Sequence, residues 1–293
     1  MALKFMPLML GLAALTGTRP AAANTLYACG DDQVRELSIG ATEATEVWRW
    51  TAAKAADLPA EWHTLLAHMD DCKPVDGGKA IIATSSLGGT VLIERASGRV
   101  LFHAYTPNAH SADLLPGGLI AIALSVNDQG NRLQIYRRTT SEAVLAEMPL
   151  FSGHGVVWDG SRHLLFVLSR DLLQALTVDD QGKAVRLGVK EQWPLPGHRD
   201  GHELSARGDG SYFVTTADGV WVFDPDAGSF TPYTPLNPAT TIKAVSQSGG
   251  MIAWQKPEES WWAHGFWVGR VGEATGRRYP IDKLALYKIR WTQ

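Results

Sequence analysis

Apolar residues in this chain come in short runs of five to eight, separated by polar turns rich in Gly, Asp, Asn and Pro. Val, Ile, Leu and aromatic residues dominate the runs, which predicts strands and tight turns rather than helices. The runs also repeat as a phrase: a small motif, a Gly-containing turn, an apolar strand, a polar turn and two further strands. The clearest copy is HSADLLPGG from His110 to Gly118, followed by LIAIAL, RLQIYRR and AVLAEMPL. Others begin with DDCKPVDGG at Asp70, HGVVWDG at His154, HELSARGDG at His202 and IKAVSQSGG at Ile242. The copies start 40, 44, 48 and 40 residues apart, which is the size of one four-stranded propeller blade.

Thr25 onwards supplies three strands, TLYACG, QVRELSI and EVWRW, that lack an innermost partner, and LALYKIRW near the C-terminus supplies one strand without followers. Joined, they complete a blade and close the ring, leaving no sheet edge open. The reading is therefore an all-β, six-bladed β-propeller closed by N- and C-terminal strands in one blade. A seventh blade within Ala52 to Met69 is the alternative. The Ala-, Leu- and Glu-rich composition of that stretch favours a helical excursion. A different repetitive β fold, such as a pair of sandwiches, is the competing architecture.

The first 23 residues read as a signal peptide. Lys4 precedes the apolar stretch Pro7 to Gly17, and Ala21-Ala22-Ala23 offers a cleavage site. The apolar stretch is short for a membrane anchor, the rival reading. Cleavage after Ala23 leaves a single propeller domain over residues 24–293, periplasmic or extracellular, without a membrane span. It also leaves 25 basic against 30 acidic residues, too acidic for general nucleic-acid binding. The two cysteines, Cys29 and Cys72, are compatible with a disulfide in an oxidising compartment, but the spacing alone leaves the pairing open.

Aligned on the glycine that ends each first turn, His110, His154 and His202 fall at or near one repeat position. Asp70 or Asp71 takes that position in the second blade and Ile242-Lys243 in the sixth, while the closing strand brings Tyr287, Lys288 and Arg290 nearby. In a propeller, equivalent starts of innermost strands meet at one end of the central channel. The three histidines are therefore the candidate catalytic residues; capping of their own turns is the alternative. They are also candidate ligands for a divalent metal ion such as Zn²⁺, Mn²⁺ or Ca²⁺, or one of them serves as acid or base. Lys243, Lys288 and Arg290 are candidate partners for a ligand carboxylate. Trp261 and Trp262 are candidates for stacking on a sugar, beside His264; packing between blades is their competing role. Arg170 and Asp171, and Asn127, Asp128 and Asn131, sit in equivalent loops, with Arg170 the further candidate for ligand binding. His198 is a reserve metal ligand. His63, His68, His103 and His163 read as structural or solvated. Phosphate-loop, nucleophile-elbow and zinc-protease motifs are absent, and Asp224 to Gly228 lacks the terminal Glu of a calcium loop.

The phrases DDCKPVDGG, NAHSADLLPGG, HGVVWD, GHELSARGDG, SWW and LYKIRW together resemble a family of uncharacterised, secreted bacterial β-propeller proteins. The resemblance spans nearly the whole mature chain and implies the fold. It departs at His202-Glu203-Leu204, where the family pattern has His-Asp-Leu. A weaker likeness, by analogy of inferred geometry, is to oligogalacturonate lyases and other propeller polysaccharide lyases. Two functions follow as expectations: a lyase acting on anionic, uronate-containing carbohydrate, or a non-catalytic propeller that binds a glycan, peptide or envelope partner. The ligand expected first is a small molecule or oligosaccharide, anionic in character.

Overall fold

The computed structural model describes residues 24–197, 200–237 and 242–292. The predicted signal peptide and His198 lie outside the described residues. Among the described residues, twenty-four strands form six four-stranded antiparallel sheets in a ring. The closing blade takes its innermost strand, Leu286–Trp291, from the C-terminal end and its other three, Thr25–Gly30, Gln33–Ile39 and Ala44–Thr51, from the N-terminal end. Tyr27 pairs with Arg290 and Ala28 with Ile289 across that seam. The other five innermost strands are Met69–Val75, Ala109–Leu115, Gly155–Asp159, Glu203–Ala206 and Ala244–Ser248.

Blades pack face to face, so their central strands are buried on both sides and read as continuous apolar runs. Leu119–Leu124 and Leu164–Leu168 are buried at every position. The core is divided into six apolar clusters, one between each pair of neighbouring blades. Each buried Leu, Ile or Val side chain contributes roughly 1.5–3 kcal/mol, so stability is spread around the ring.

Residues Ala52 to His68 form no seventh blade. They hold a 3₁₀ turn, Ala52–Lys54, and a single helical turn, Trp62–Leu65. The excursion is therefore far less helical than its composition predicts, because Pro59 interrupts it and its apolar residues are buried against the blades. Ala52, Ala55, Leu58, Trp62 and Leu66 pack between the closing and second blades. Cys29 and Cys72 join in a disulfide across the same interface, with Cα atoms 6.0 Å apart. Among the described residues no helix is long and apolar enough to cross a membrane.

Candidate functional site

The repeat position becomes one end of the channel. His154, His202 and Lys243 each sit one residue before an innermost strand. Each donates its backbone N–H to a carbonyl in the last two residues of the next strand: Leu168 at 2.9 Å, Thr215 at 3.0 Å and Gln255 at 3.1 Å. This shared bond makes the three positions structurally equivalent. In the third blade a bulge between Ala109 and Ser111 sets His110 at the same end. Two glycines make room beside the histidines. A Cβ at Gly155 would lie 2.5 Å from the Leu204 Cβ, and one at Gly201 would lie 2.7 Å from the Ser169 carbonyl oxygen.

The three imidazoles meet. His110 stacks on His154 with ring centres 4.5 Å apart, and His154 meets His202 edge-on at 5.1 Å. Tyr287 lies 5.9 Å from the His110 ring, and Trp262 closes on Tyr287 at 5.3 Å. Lys243 Nζ is 2.5 Å from His202 Nε2 and 4.5 Å from the centre of the Trp261 ring. Trp261 itself is 54 % exposed, so its ring lies open at the rim of the cluster.

Burial sets the protonation states. It pushes His110 well below the ordinary imidazole range, helped by the neighbouring His154 and Lys288. It takes His154 down to about 3, with His202 adding to the effect. His202 is also lowered by burial, though the hydrogen bond to Asp200 at 3.2 Å works against this. The three rings are therefore neutral at pH 7. His154 Nδ1 lies 2.9 Å from the Ser152 carbonyl oxygen. A carbonyl only accepts, so Nδ1 carries the proton and Nε2 presents a lone pair. Burial brings Lys243 down to about 8, leaving it mostly charged at neutrality. Asp70, 3.5 Å from His110 Nδ1, is pushed well above the carboxylate range by burial.

Among the described residues no group of three or more His, Cys, Asp or Glu side chains is arranged to hold a metal ion. The His110 and His154 rings lie with their planes 17° apart, and the His202 ring stands at 88° to His154. His202 Nε2 lies between Lys243 Nζ at 2.5 Å and Asp200 Oδ2 at 3.2 Å.

Lys288 and Arg290, expected to meet a ligand carboxylate, are engaged by the protein's own. Arg290 donates to Glu203 Oε2 at 2.7 Å and Asp71 Oδ2 at 3.1 Å. Lys288 donates to the carbonyl of His154 at 3.2 Å and lies 3.9 Å from Glu203. Lys73 donates to Ser111 Oγ at 2.9 Å and to the Val156 carbonyl, and lies 3.7 Å from Asp71. These five charged residues form a buried plug across the channel below the imidazoles. Burial opposes the charge on Asp71, but Arg290, Lys288 and Lys73 outweigh it and hold the carboxyl at about 2.

The other expected residues divide. Trp262 packs inward, against Tyr287 and His68, and Trp261 faces out. Arg170 sits at the rim over Phe151, 6.0 Å from that ring. His264 is exposed and bonds Glu259 at 3.0 Å. His103 packs on Trp62 and bonds Glu142, and His163 takes a left-handed turn position at φ 54°. Asp200, Lys73 and Glu203 were not legible as partners in the sequence. The one signal was a charge at an innermost-strand position, at Lys73 and Glu203, where a core strand ordinarily carries none.

Ring closure, six equivalent blades and a cluster of imidazoles over one channel mouth define a six-bladed β-propeller with side chains gathered on its axis. The profile of a family of unknown function, DUF6528, matches residues 24–293. The chain belongs to that family. No curated protein is significantly similar to it in sequence. Among solved structures it is similar to a chain of the nidogen/laminin complex, with TM-score 0.63 and 14 % identity over 92 % of this chain and 98 % of that one. It is likewise similar to a protein of unknown function from Bacteroides caccae, with TM-score 0.60 and 11 % identity over 92 % and 98 % of the two chains. A third similar structure is the Myceliophteria thermophila Cps50 (Swd1) β-propeller domain, with TM-score 0.60 and 13 % identity over 92 % and 86 %. At these identities the likeness concerns the fold alone.

Proposed function

We propose that this is an exported propeller that binds an anionic, uronate-containing carbohydrate at the histidine end of its channel. One observation carries the reading. Lys243 is held under the exposed ring of Trp261, and the carboxylate that acts on it, Asp200, is bonded at 3.2 Å to His202 Nε2. A cation beside an open aromatic face suits a ligand with both a carboxylate and a ring. The sugar would stack on Trp261, and its carboxylate would lie against Lys243. Neutral imidazoles on His110, His154 and His202 add donors and acceptors for hydroxyl groups. Export is supported by the signal-like N-terminus and by the disulfide, a bond that persists in oxidising compartments.

The test is titration of the protein with uronate oligosaccharides, followed by calorimetry, with neutral oligosaccharides as controls. Saturable binding of the acidic series, weakened in Lys243→Ala and Trp261→Ala, is expected. Equal binding of the neutral series, or none by either, overturns the reading.

The bare Nε2 of His154 gives a second reading, lyase action at the same end, in which a bound uronate carboxylate would raise the basicity that burial lowers. A base would take the C5 proton of a uronate residue, the C4–O bond would break, and a C4=C5 double bond would form. The departing oxygen would leave with the bond's electron pair and take up a proton, with Lys243 neutralising the carboxylate. Absorbance of the conjugated product, lost in His154→Ala, is expected. Bound oligosaccharide recovered unchanged would reject this chemistry and leave binding intact.

A further inference from the structure

One ring nitrogen at the histidine end has two partners that cannot share it. His202 Nε2 lies 2.5 Å from Lys243 Nζ and 3.2 Å from Asp200 Oδ2. An ammonium donates, so a bond from Lys243 needs a bare Nε2. A carboxylate accepts, so a bond to Asp200 needs a hydrogen on Nε2. The neutral ring carries one hydrogen, and each bond therefore belongs to a different tautomer. The other nitrogen, Nδ1, is buried without a partner among the described residues, so neither tautomer is fixed from that side.

Asp200 is brought to this nitrogen by an unusual backbone. It sits at φ 112°, a value that glycine adopts freely and an L side chain adopts under strain. The backbone N–H groups of Asp200 and Gly201 both donate to the Arg170 carbonyl, at 2.8 and 3.0 Å, which fixes the turn. A side chain retained where glycine would be at ease points to a use for its carboxylate. The two partners also differ in their surroundings. Asp200 is anchored by its turn, with its side chain 43 % exposed at the mouth. Lys243 lies under the open Trp261 ring, where a ligand carboxylate would meet it.

We infer that Asp200 is a positioning residue that makes His202 a switch selective for acids. The inference rests on Lys243 being the cation that meets a ligand carboxylate. With the mouth empty, Lys243 donates to the bare Nε2 and the ring hydrogen is on Nδ1. A carboxylate draws Lys243 onto itself. The ring then loses its hydrogen from Nδ1 and gains one on Nε2 by exchange with water, with no net uptake of protons. Nε2 now donates to Asp200. A neutral ligand leaves Lys243 on the ring, so the bond to Asp200 adds to the binding of acids alone.

The experiment reads the His202 ring by nitrogen NMR at pH 7 in protein labelled at histidine, with His202→Gln to assign the signals. Bare and protonated ring nitrogens resonate far apart. In Lys243→Met, Nε2 should be protonated. In Asp200→Gly, whose backbone suits φ 112°, it should be bare. In the wild type Nε2 should be bare, become protonated on saturation with sodium D-glucuronate, and stay bare with D-glucose; Asp200→Gly should abolish the change. The same tautomer in both variants, or hydrogens on both nitrogens of the wild-type ring, overturns the switch. Calorimetry of the same samples separates it from the reading beneath it. Glucuronate that binds and leaves the wild-type tautomer unchanged overturns the switch alone. Glucuronate that fails to bind, with the two variants still differing, rejects the carboxylate-binding reading and the acid-driven step with it.

Discussion

Removing the guanidinium of Arg290 tests the plug most directly. Its two ends reach Glu203 at 2.7 Å and Asp71 at 3.0 Å, and both carboxylates are essentially inaccessible to water. Arg290→Met keeps most of the side-chain volume and leaves two buried carboxylates short of a cation. Breaking a buried pair by removing one partner costs about 3–5 kcal/mol, because the remaining charge stays desolvated. For a chain of this size that corresponds to a fall in Tm of about 6–20 °C. Lys73 and Lys288 compensate in part, at 3.7 Å from Asp71 and 3.9 Å from Glu203, which places the expected value toward the lower end. Adding Glu203→Gln should recover part of the loss, since one uncompensated charge is removed. The assay is urea unfolding of the wild type, both single variants and the double variant, read as a double-mutant cycle. If Arg290→Met lies within about 1 kcal/mol of the wild type, or the two changes simply add, the charges are not coupled as argued.

Four further outcomes are expected. The unfolded chain protonates His154 near pH 6.5 and the folded one only near 3, so this residue's contribution to stability is lost as pH falls through that window. Urea midpoints at pH 7 and 5 should show His154→Gln spared about 2 kcal/mol of the acid loss seen in the wild type. Lys243 loses its proton as pH rises through about 8, so binding of an acidic oligosaccharide should weaken above that point in the wild type but not in Lys243→Arg. The disulfide closes a loop with a sequence separation of 43, so Cys29→Ser with Cys72→Ser should cost about 4 kcal/mol in denaturant unfolding. Trp261→Ala should leave the unfolding midpoint within about 0.5 kcal/mol of the wild type, since the ring is mostly outside the core, while calorimetry registers weakened ligand.

Much of the architecture was legible because it is written five times over. The Gly-containing turns at Asp76-Gly77-Gly78 and Gly117-Gly118 lead into the second strands Ala80–Ser85 and Leu119–Leu124, buried at every position and mostly apolar. Equivalent positions in the repeat gave the convergence of His110, His154 and His202, since rotation about one axis maps position onto place. Pairings were not legible in the same way. Lys288 and Arg290 show their charge in the sequence but not that Glu203 and Asp71 lie opposite, because these contacts cross the axis and follow no periodicity. The orientation of the imidazoles was equally hidden: the His110 position follows a bulge and the stacking on His154 lies beside the close approach at Gly155. The separate fates of Trp261 and Trp262 turn on a one-residue change of direction within a loop.

The seam between Thr25–Gly30 and Leu286–Trp291 has a consequence for how the molecule comes into being. Contacts separated by more than 250 positions are the slowest to form, since the chain between them must first be gathered in. Until that late meeting, two strand flanks stay unsatisfied and open to other chains. The Cys29–Cys72 bond fastens the N-terminal strand to its neighbouring blade without help from the C-terminal strand that closes the ring.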